Sequence, residues 1–212
     1  MDGGVIAAFF ARASGDQETV PGELGIGPGD MVCCEQAHGD HVAVVRRADL
    51  LGEETVTSAG EADGLITNET GIALTVRVAD CVPVYLVAPC CIALVHAGRR
   101  GTWRQIAAKA LKAMTGGCGA RPGEVSAVIG PSAGPCCYEV SEAMAAAWRD
   151  AGLPARGRYL DLWEANRRQL AGAGISPKRI ELSGDCTICS GRYYSYRRGD
   201  TGGRNIAVLM RR

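Results

Sequence analysis

An α/β fold of the α+β kind, one domain of mixed and partly antiparallel β-sheets with flanking helices, is what this sequence predicts. Three observations lead there. A chain of 212 residues with 47% hydrophobic content can bury one sizeable core, so residues 1–212 read as a single domain. Short β-branched runs bounded by Gly, Pro or Asp recur through residues 1–130. Capped helical runs follow from Thr102 onward.

The strand candidates in order are GVIAAFFARA, MVCCEQ, HVAVV, GIALTVRV, VPVYLVA, CIALVHA and VSAVIG. GIALTVRV, VPVYLVA and CIALVHA are joined by links of a few residues. Parallel crossovers need a dozen or more, so these links favour antiparallel hairpins and a mixed sheet rather than a doubly wound one. A helix is expected from Thr102, where Thr-Trp-Arg-Gln fits a capping box; Trp103, Ile106, Ala107, Ala110, Leu111 and Met114 then share a face until Gly116 and Gly117 stop it. A second helix runs from Ser141 to Ala151 before Gly152, and a third starts at Asp161, where Asp-Leu-Trp-Glu again resembles a capping box. The tail returns to strands.

Charge excludes some functions. Lys+Arg and Asp+Glu number 23 each, so nothing draws the chain as a whole to nucleic acid or an anionic membrane. MDGGVIAAFFARA lacks the basic start and long apolar run of a secretory signal, and no run reaches membrane-spanning length, which makes the cytoplasm the expected setting. Ten cysteines there read as reduced thiols, ligands or catalytic groups. The adjacent pairs Cys33/Cys34, Cys90/Cys91 and Cys136/Cys137 would diverge if extended, and the single C-x-x-C, Cys186 to Cys189, has no partner at zinc-ribbon spacing.

Only three histidines occur: His38, His41 and His96. His38 and His96 each follow an apolar run and precede a glycine, and Cys81 opens VPVYLV; side chains at such strand ends can converge on a cleft. One thiolate and two imidazoles suit zinc with a fourth position open. The same residues also fit a metal-free nucleophile, Cys81, with His96 as its base. They equally fit ordinary packing, with both histidines bonded to backbone. Asp80 could exchange a proton or orient an imidazole, or simply cap a turn. Arg77, Arg99 and Arg100 flank the strand ends, and GRRGT precedes a helix start, where an anionic substrate group would fit. IGPSAGPCCYEV packs two Gly-Pro steps into a rigid turn whose main role is architectural, although Tyr138 could border the cleft. Residues 191–212 hold six arginines and one aspartate, read as solvated or oligomer-facing surface.

Seven stretches, EQAHGDHV, EADGLIT, VADCVPV, VHAGRRGTW, IGPSAGPCCYEV, DLWEANRRQL and CTICSGRYYSYRRGDTGGR, resemble in content and order the YfiH family, also called the laccase-domain or polyphenol-oxidoreductase-like family. The resemblance covers the chain from about residue 31 and implies a YfiH-like fold related to that of cysteine hydrolases. It implies zinc as cofactor, with His38, Cys81 and His96 as ligands and His41 outside the set. Cys81, His96, Asp80 and Arg100 become catalytic candidates, and Arg77, Gln36 and Tyr138 substrate-binding ones. Reactions attached to the family are phosphorolysis of purine nucleosides (adenosine, inosine or methylthioadenosine), adenosine deamination, editing of peptidoglycan precursors and polyphenol oxidation. Small-molecule partners, a purine nucleoside and phosphate, are therefore expected. The chain departs from the pattern at Arg99, where tryptophan is usual, and at Ala37, Val78 and Gly191. Arg99 removes a stacking surface and adds a cation.

Overall fold

A computed structural model describes residues 4–12, 20–27, 29–50 and 56–212. Residues 1–3 and 13 of the opening segment lie outside the described residues. In chain order the elements begin with β1 (Val5–Phe10), α1 (Val20–Leu24), β2 (Met31–Glu35), β3 (Val42–Val44), β4 (Val56–Glu61), β5 (Gly64–Thr67), β6 (Ala73–Val78), β7 (Val82–Val87) and β8 (Ile92–Ala97). They continue with α2 (Arg99–Trp103), α3 (Ile106–Cys118), β9 (Ser126–Ile129), α4 (Glu142–Asp150), β10 (Ala155–Arg156), β11 (Tyr159–Leu160), α5 (Leu162–Gly172), β12 (Ile180–Leu182) and β13 (Asn205–Arg211).

Two mixed sheets stack face to face. One has the order β1-β13-β6-β2-β4, the other β12-β9-β7-β8-β5-β3. Between them lies an apolar layer in which Leu74, Val76 and Val78 of β6 meet Tyr85, Ile92 and Leu94 of the second sheet. The second sheet's far face packs Val82, Val84, Ala93 and Val95 on Ile106, Leu111 and Met114 of α3 and on Trp148 of α4. On the first sheet's far face, Ile206 and Val208 pack with Val20 of α1. With both faces covered, β7 and β8 read as continuous apolar runs rather than alternating ones. Burying each large side chain contributes roughly 1.5–3 kcal/mol, so this double layer carries most of the stabilisation.

The expected hairpin between β7 and β8 forms, antiparallel with Val82 opposite Ala97. The expected hairpin between β6 and β7 does not. β6 pairs antiparallel with β13 and parallel with β2, in the other sheet. The three-residue link Ala79-Asp80-Cys81 therefore switches sheets, with Asp80 in the left-handed region at φ 85°. A short link favours a hairpin only when both strands share a sheet.

The helix expected from Thr102 instead starts at Arg99 and breaks at Gln105, φ 61°, before resuming as α3. Thr102 turns its hydroxyl to Ala97 O at 3.3 Å, so the capping box is absent and Trp103 is partly exposed. Gly119, φ 70°, ends the helix; Gly116 and Gly117 lie inside it. The Ser141 helix forms with its cap, the hydroxyl accepting from Met144 N–H at 3.4 Å. Asp161 caps α5 by accepting from Glu164 N–H at 2.9 Å, while the Glu164 carboxylate pairs with Arg167 and Arg168 instead of closing a box. β4, β5, β10, β11 and α1 were not expected.

Candidate metal centre

Hairpin register brings Cys81 and His96 together. Cys81 sits one step beyond the Val82–Ala97 pair, opposite Gly98, and His96 lies two residues before Gly98 on the same strand face. Thiol and imidazole are thus diagonal neighbours. Gly98 leaves the space they use: a Cβ there would sit 3.0 Å from Cys81 Sγ and 3.2 Å from His38 Cδ2.

His38 arrives from the other sheet, on the loop after β2, with φ 58°. Left-handed backbone costs a non-glycine residue on the order of 1 kcal/mol or more, and two of the three such residues among the described ones, His38 and Asp80, lie here. The surroundings hold His38 in place. Asp63 accepts N–H bonds from His38 at 3.1 Å and Gly39 at 2.6 Å, and its Oδ1 lies 2.7 Å from His96 Nδ1. The result places the ligand atoms of His38, Cys81 and His96 within 4.8 Å of one another. Because Asp63 occupies Nδ1, Nε2 of His96 is the nitrogen left for a metal.

The charges agree with this geometry. Burial opposes ionisation of Cys81, but the adjacent His96 charge and hydrogen bonds with both imidazoles outweigh it and bring the thiol down to about 6. Burial also opposes protonation of His96, yet the Cys81 thiolate and Asp63 carboxylate raise it to about 9. Burial works to raise Asp63, while His96 and the two loop amides lower it overall. Two imidazoles and a thiolate, one imidazole oriented by a buried carboxylate, form a donor set into which a divalent metal fits.

The triad opens onto a cavity of about 480 Å³ lined also by Gln36, Arg77, Asp80, Tyr138, Leu162, Tyr196, Arg197 and Arg204. Of the residues singled out from the sequence, Gln36, His38, Arg77, Asp80, Cys81, His96 and Tyr138 therefore meet. Gln36 clasps the Arg77 backbone, donating to its carbonyl at 2.8 Å and accepting its N–H at 2.9 Å. The Arg77 guanidinium makes no ion pair among the described residues. Asp80 has both carboxylate oxygens engaged, by the Thr187 hydroxyl at 2.7 Å and Arg197 N–H at 2.7 Å.

Arg100 does not join them. Arg99 and Arg100 lie inside α2 rather than before it, and the turn carries Arg100 to an outer groove with Trp103, Arg104 and Met144. The arginine-rich tail also departs from a purely solvated surface. Arg197 lies 4.7 Å over the Tyr138 ring and donates to Glu139 O at 2.7 Å; Arg198 donates to Ser190 O at 2.5 Å. Asp63, Arg197 and Arg204 were missed. A signal for Asp63 existed: an acidic residue sits inside the apolar stretch Ala62 to Ile66, yet is buried.

Fold and site together define a class: a stacked two-sheet α/β domain with a two-histidine, one-cysteine centre at the sheet ends. The chain belongs to the family described as multi-copper polyphenol oxidoreductase laccase, whose model matches residues 12–212. Purine nucleoside phosphorylase YlmD of Geobacillus stearothermophilus is 39% identical over 197 residues, 85% of this chain and 72% of the relative. A solved structure of YlmD from that organism superposes with TM-score 0.83 and 33% identity, covering 99% of this chain and 92% of the other. Adenosine deaminase RL5, from an unknown prokaryotic organism, is 33% identical over 213 residues, 92% of this chain and 80% of the relative. The crystal structure of hypothetical protein YfiH from Bacillus licheniformis matches with TM-score 0.79 and 32% identity, covering 91% of this chain and 78% of that one.

Proposed function

We propose that this chain is a zinc-dependent enzyme that splits purine nucleosides with phosphate and also deaminates adenosine. One observation carries the reading: the metal-fitting triad shares its cavity with three guanidinium groups and two tyrosine rings. Zinc, when bound by His38, Cys81 and His96, supplies a Lewis acid beside the reacting atoms. Arg77 and Arg204 hold phosphate at the rim, where guanidinium forks suit its oxygens. Tyr138, backed by Arg197, and Tyr196 offer flat faces for a base in place of the tryptophan lost at Arg99. Asp63 keeps His96 in one orientation. Asp80, with both oxygens engaged, positions the Thr187 and Arg197 segments rather than carrying a proton.

Relatives named purine nucleoside phosphorylase and adenosine deaminase support this reading. Polyphenol oxidation fits less well. Multi-copper chemistry needs many histidines and the chain has three, and among the described residues no methionine lines the cavity to serve as a weak axial copper ligand. Among the described residues no helix is long and apolar enough to cross a membrane, and every cysteine is free, as suits work on small molecules in the cytoplasm.

The test is to incubate metal-replete protein with adenosine, with and without phosphate. Phosphate-dependent adenine and phosphate-independent inosine are expected; absence of adenine, inosine and hypoxanthine would overturn the proposal. A second reading is favoured by the ionised Cys81 beside Asp63-oriented His96: a cysteine amidase acting on peptidoglycan precursors. An acyl group trapped on Cys81 would establish that reading, whereas metal loss in Cys81→Ser with no adduct in wild type favours the zinc enzyme.

A further inference from the structure

Away from the cavity, two turns bring four more sulfurs together. Cys136 and Cys137 follow Gly134-Pro135, and Cys186 and Cys189 lie on the turn after β12. All four Sγ atoms lie within 4.8 Å of one another. Cys189 Sγ is 3.4 Å from Cys136 Sγ and 3.0 Å from Cys137 Sγ. Adjacent cysteines diverge along a strand, but Cys136 and Cys137 occupy a turn, so both reach the same point. That removes the objection to a shared ligand set.

The backbone around them is built for close approach. Ser132 and Cys186 form a parallel bridge; Ser132 N–H donates to Asp185 O at 3.1 Å and Thr187 N–H to Ser132 O at 3.0 Å. At Gly134 a Cβ would fall 3.2 Å from Cys186 Cβ and 2.7 Å from the Trp163 ring, so only glycine lets the two turns meet. Cys186, the buried member, receives the N–H of Gly134 at 3.3 Å together with those of Ile188 and Cys189. Three amides on one sulfur satisfy a thiolate without closing off its outward side, where the exposed Cys136 and Cys189 sit.

We propose that Cys136, Cys137, Cys186 and Cys189 form a second, structural metal site that encloses one zinc ion in four thiolates. Four sulfurs around zinc at about 2.3 Å are spaced about 3.8 Å apart, inside the range found here. Four protein ligands leave no open position, so this site does no chemistry. It acts on the cavity through its neighbours: Tyr138 follows Cys137 directly, and Thr187, between the two C-x-x-C cysteines, holds Asp80. The metal would clamp two cavity-wall segments that are about 50 residues apart in the chain.

Elemental analysis of full-length protein purified under reducing conditions without added metal tests this. Cys81→Ser removes a ligand of the first centre and is expected to retain about one zinc. Cys189→Ser should lower the wild-type content by about one zinc, and the double variant should bind none. Cobalt loaded into Cys81→Ser should show the intense visible bands of a tetrahedral thiolate complex. If Cys189→Ser fails to fold, alkylation of wild type decides: zinc should protect Cys136 and Cys189, and a chelator should expose them. A Cys81→Ser protein without metal, iron in place of zinc, a Cys137–Cys189 disulfide, or alkylation indifferent to chelator would each overturn the proposal. Because every readout concerns this cluster, its failure leaves the nucleoside reading standing.

Discussion

Among the described residues two clusters could hold a metal, and they are built in opposite ways. His38, Cys81 and His96 come from strand ends of two different sheets, and a buried carboxylate fixes their geometry. The four cysteines lie on two neighbouring turns, from buried Cys186, which accepts backbone amides, to exposed Cys136 and Cys189. Mixed nitrogen and sulfur donors facing a cavity leave a metal accessible to substrate; an all-sulfur shell on turns closes around it. The difference teaches that the chemistry-bearing centre is set by long-range strand packing and the clamp by local turn geometry, so the two should respond differently to mutation.

Cys81→Ser gives the sharpest separation. Nucleoside cleavage should fall by roughly a thousandfold or more, as expected when a metal worth several kcal/mol to the transition state is lost. The turn cluster should keep its own metal; a Cys81→Ser protein without any metal would refute the second site. Proton competition comes next. Below about 9, metal must displace the His96 proton, whereas Cys81 has already ionised above about 6. Deprotonation accompanies binding, so affinity at this centre should rise about tenfold per pH unit between those values and level off above them. Metal titrations of Cys189→Ser across that interval check the slope, and a flat profile breaks the account.

Asp63→Asn should weaken metal binding or activity by about 10- to 100-fold through loss of the His96 support, with the cluster unaffected. Gly98→Ala pushes a methyl against Cys81 and His38 and should cost about tenfold in activity, with little change in melting temperature. Smallest of all, Arg77→Ala should raise the KM for phosphate severalfold, about 1 kcal/mol of binding, while Arg100→Ala, in its separate groove, should leave it unchanged.

Much of the centre was legible because its geometry is local. VPVYLVA and CIALVHA announce a hairpin, and a hairpin's two-residue side-chain period is enough to set Cys81 beside His96. His38 was a candidate from its place between an apolar run and a glycine, but its meeting with the other two depends on sheet stacking, which the spacing does not reveal. The sheet switch after Val78 was hidden, because a three-residue link looks the same whether the strands share a sheet or not. Gln105 hid the helix break, being a good helix former that here adopts a left-handed conformation. Arg197 and Arg204 looked like surface because the tail's path back over the cavity leaves no periodic trace. The cysteine cluster was masked by treating Cys136 and Cys137 as extended when Gly134-Pro135 had already signalled a turn.

Anomalous diffraction at the zinc edge, on crystals of protein grown without added metal, addresses the central claim most directly. A peak bonded to His38, Cys81 Sγ and His96 Nε2, at about 2.0–2.3 Å from each and with one side open to the cavity, is the predicted result. Clear density for all three side chains with no peak among them would contradict it.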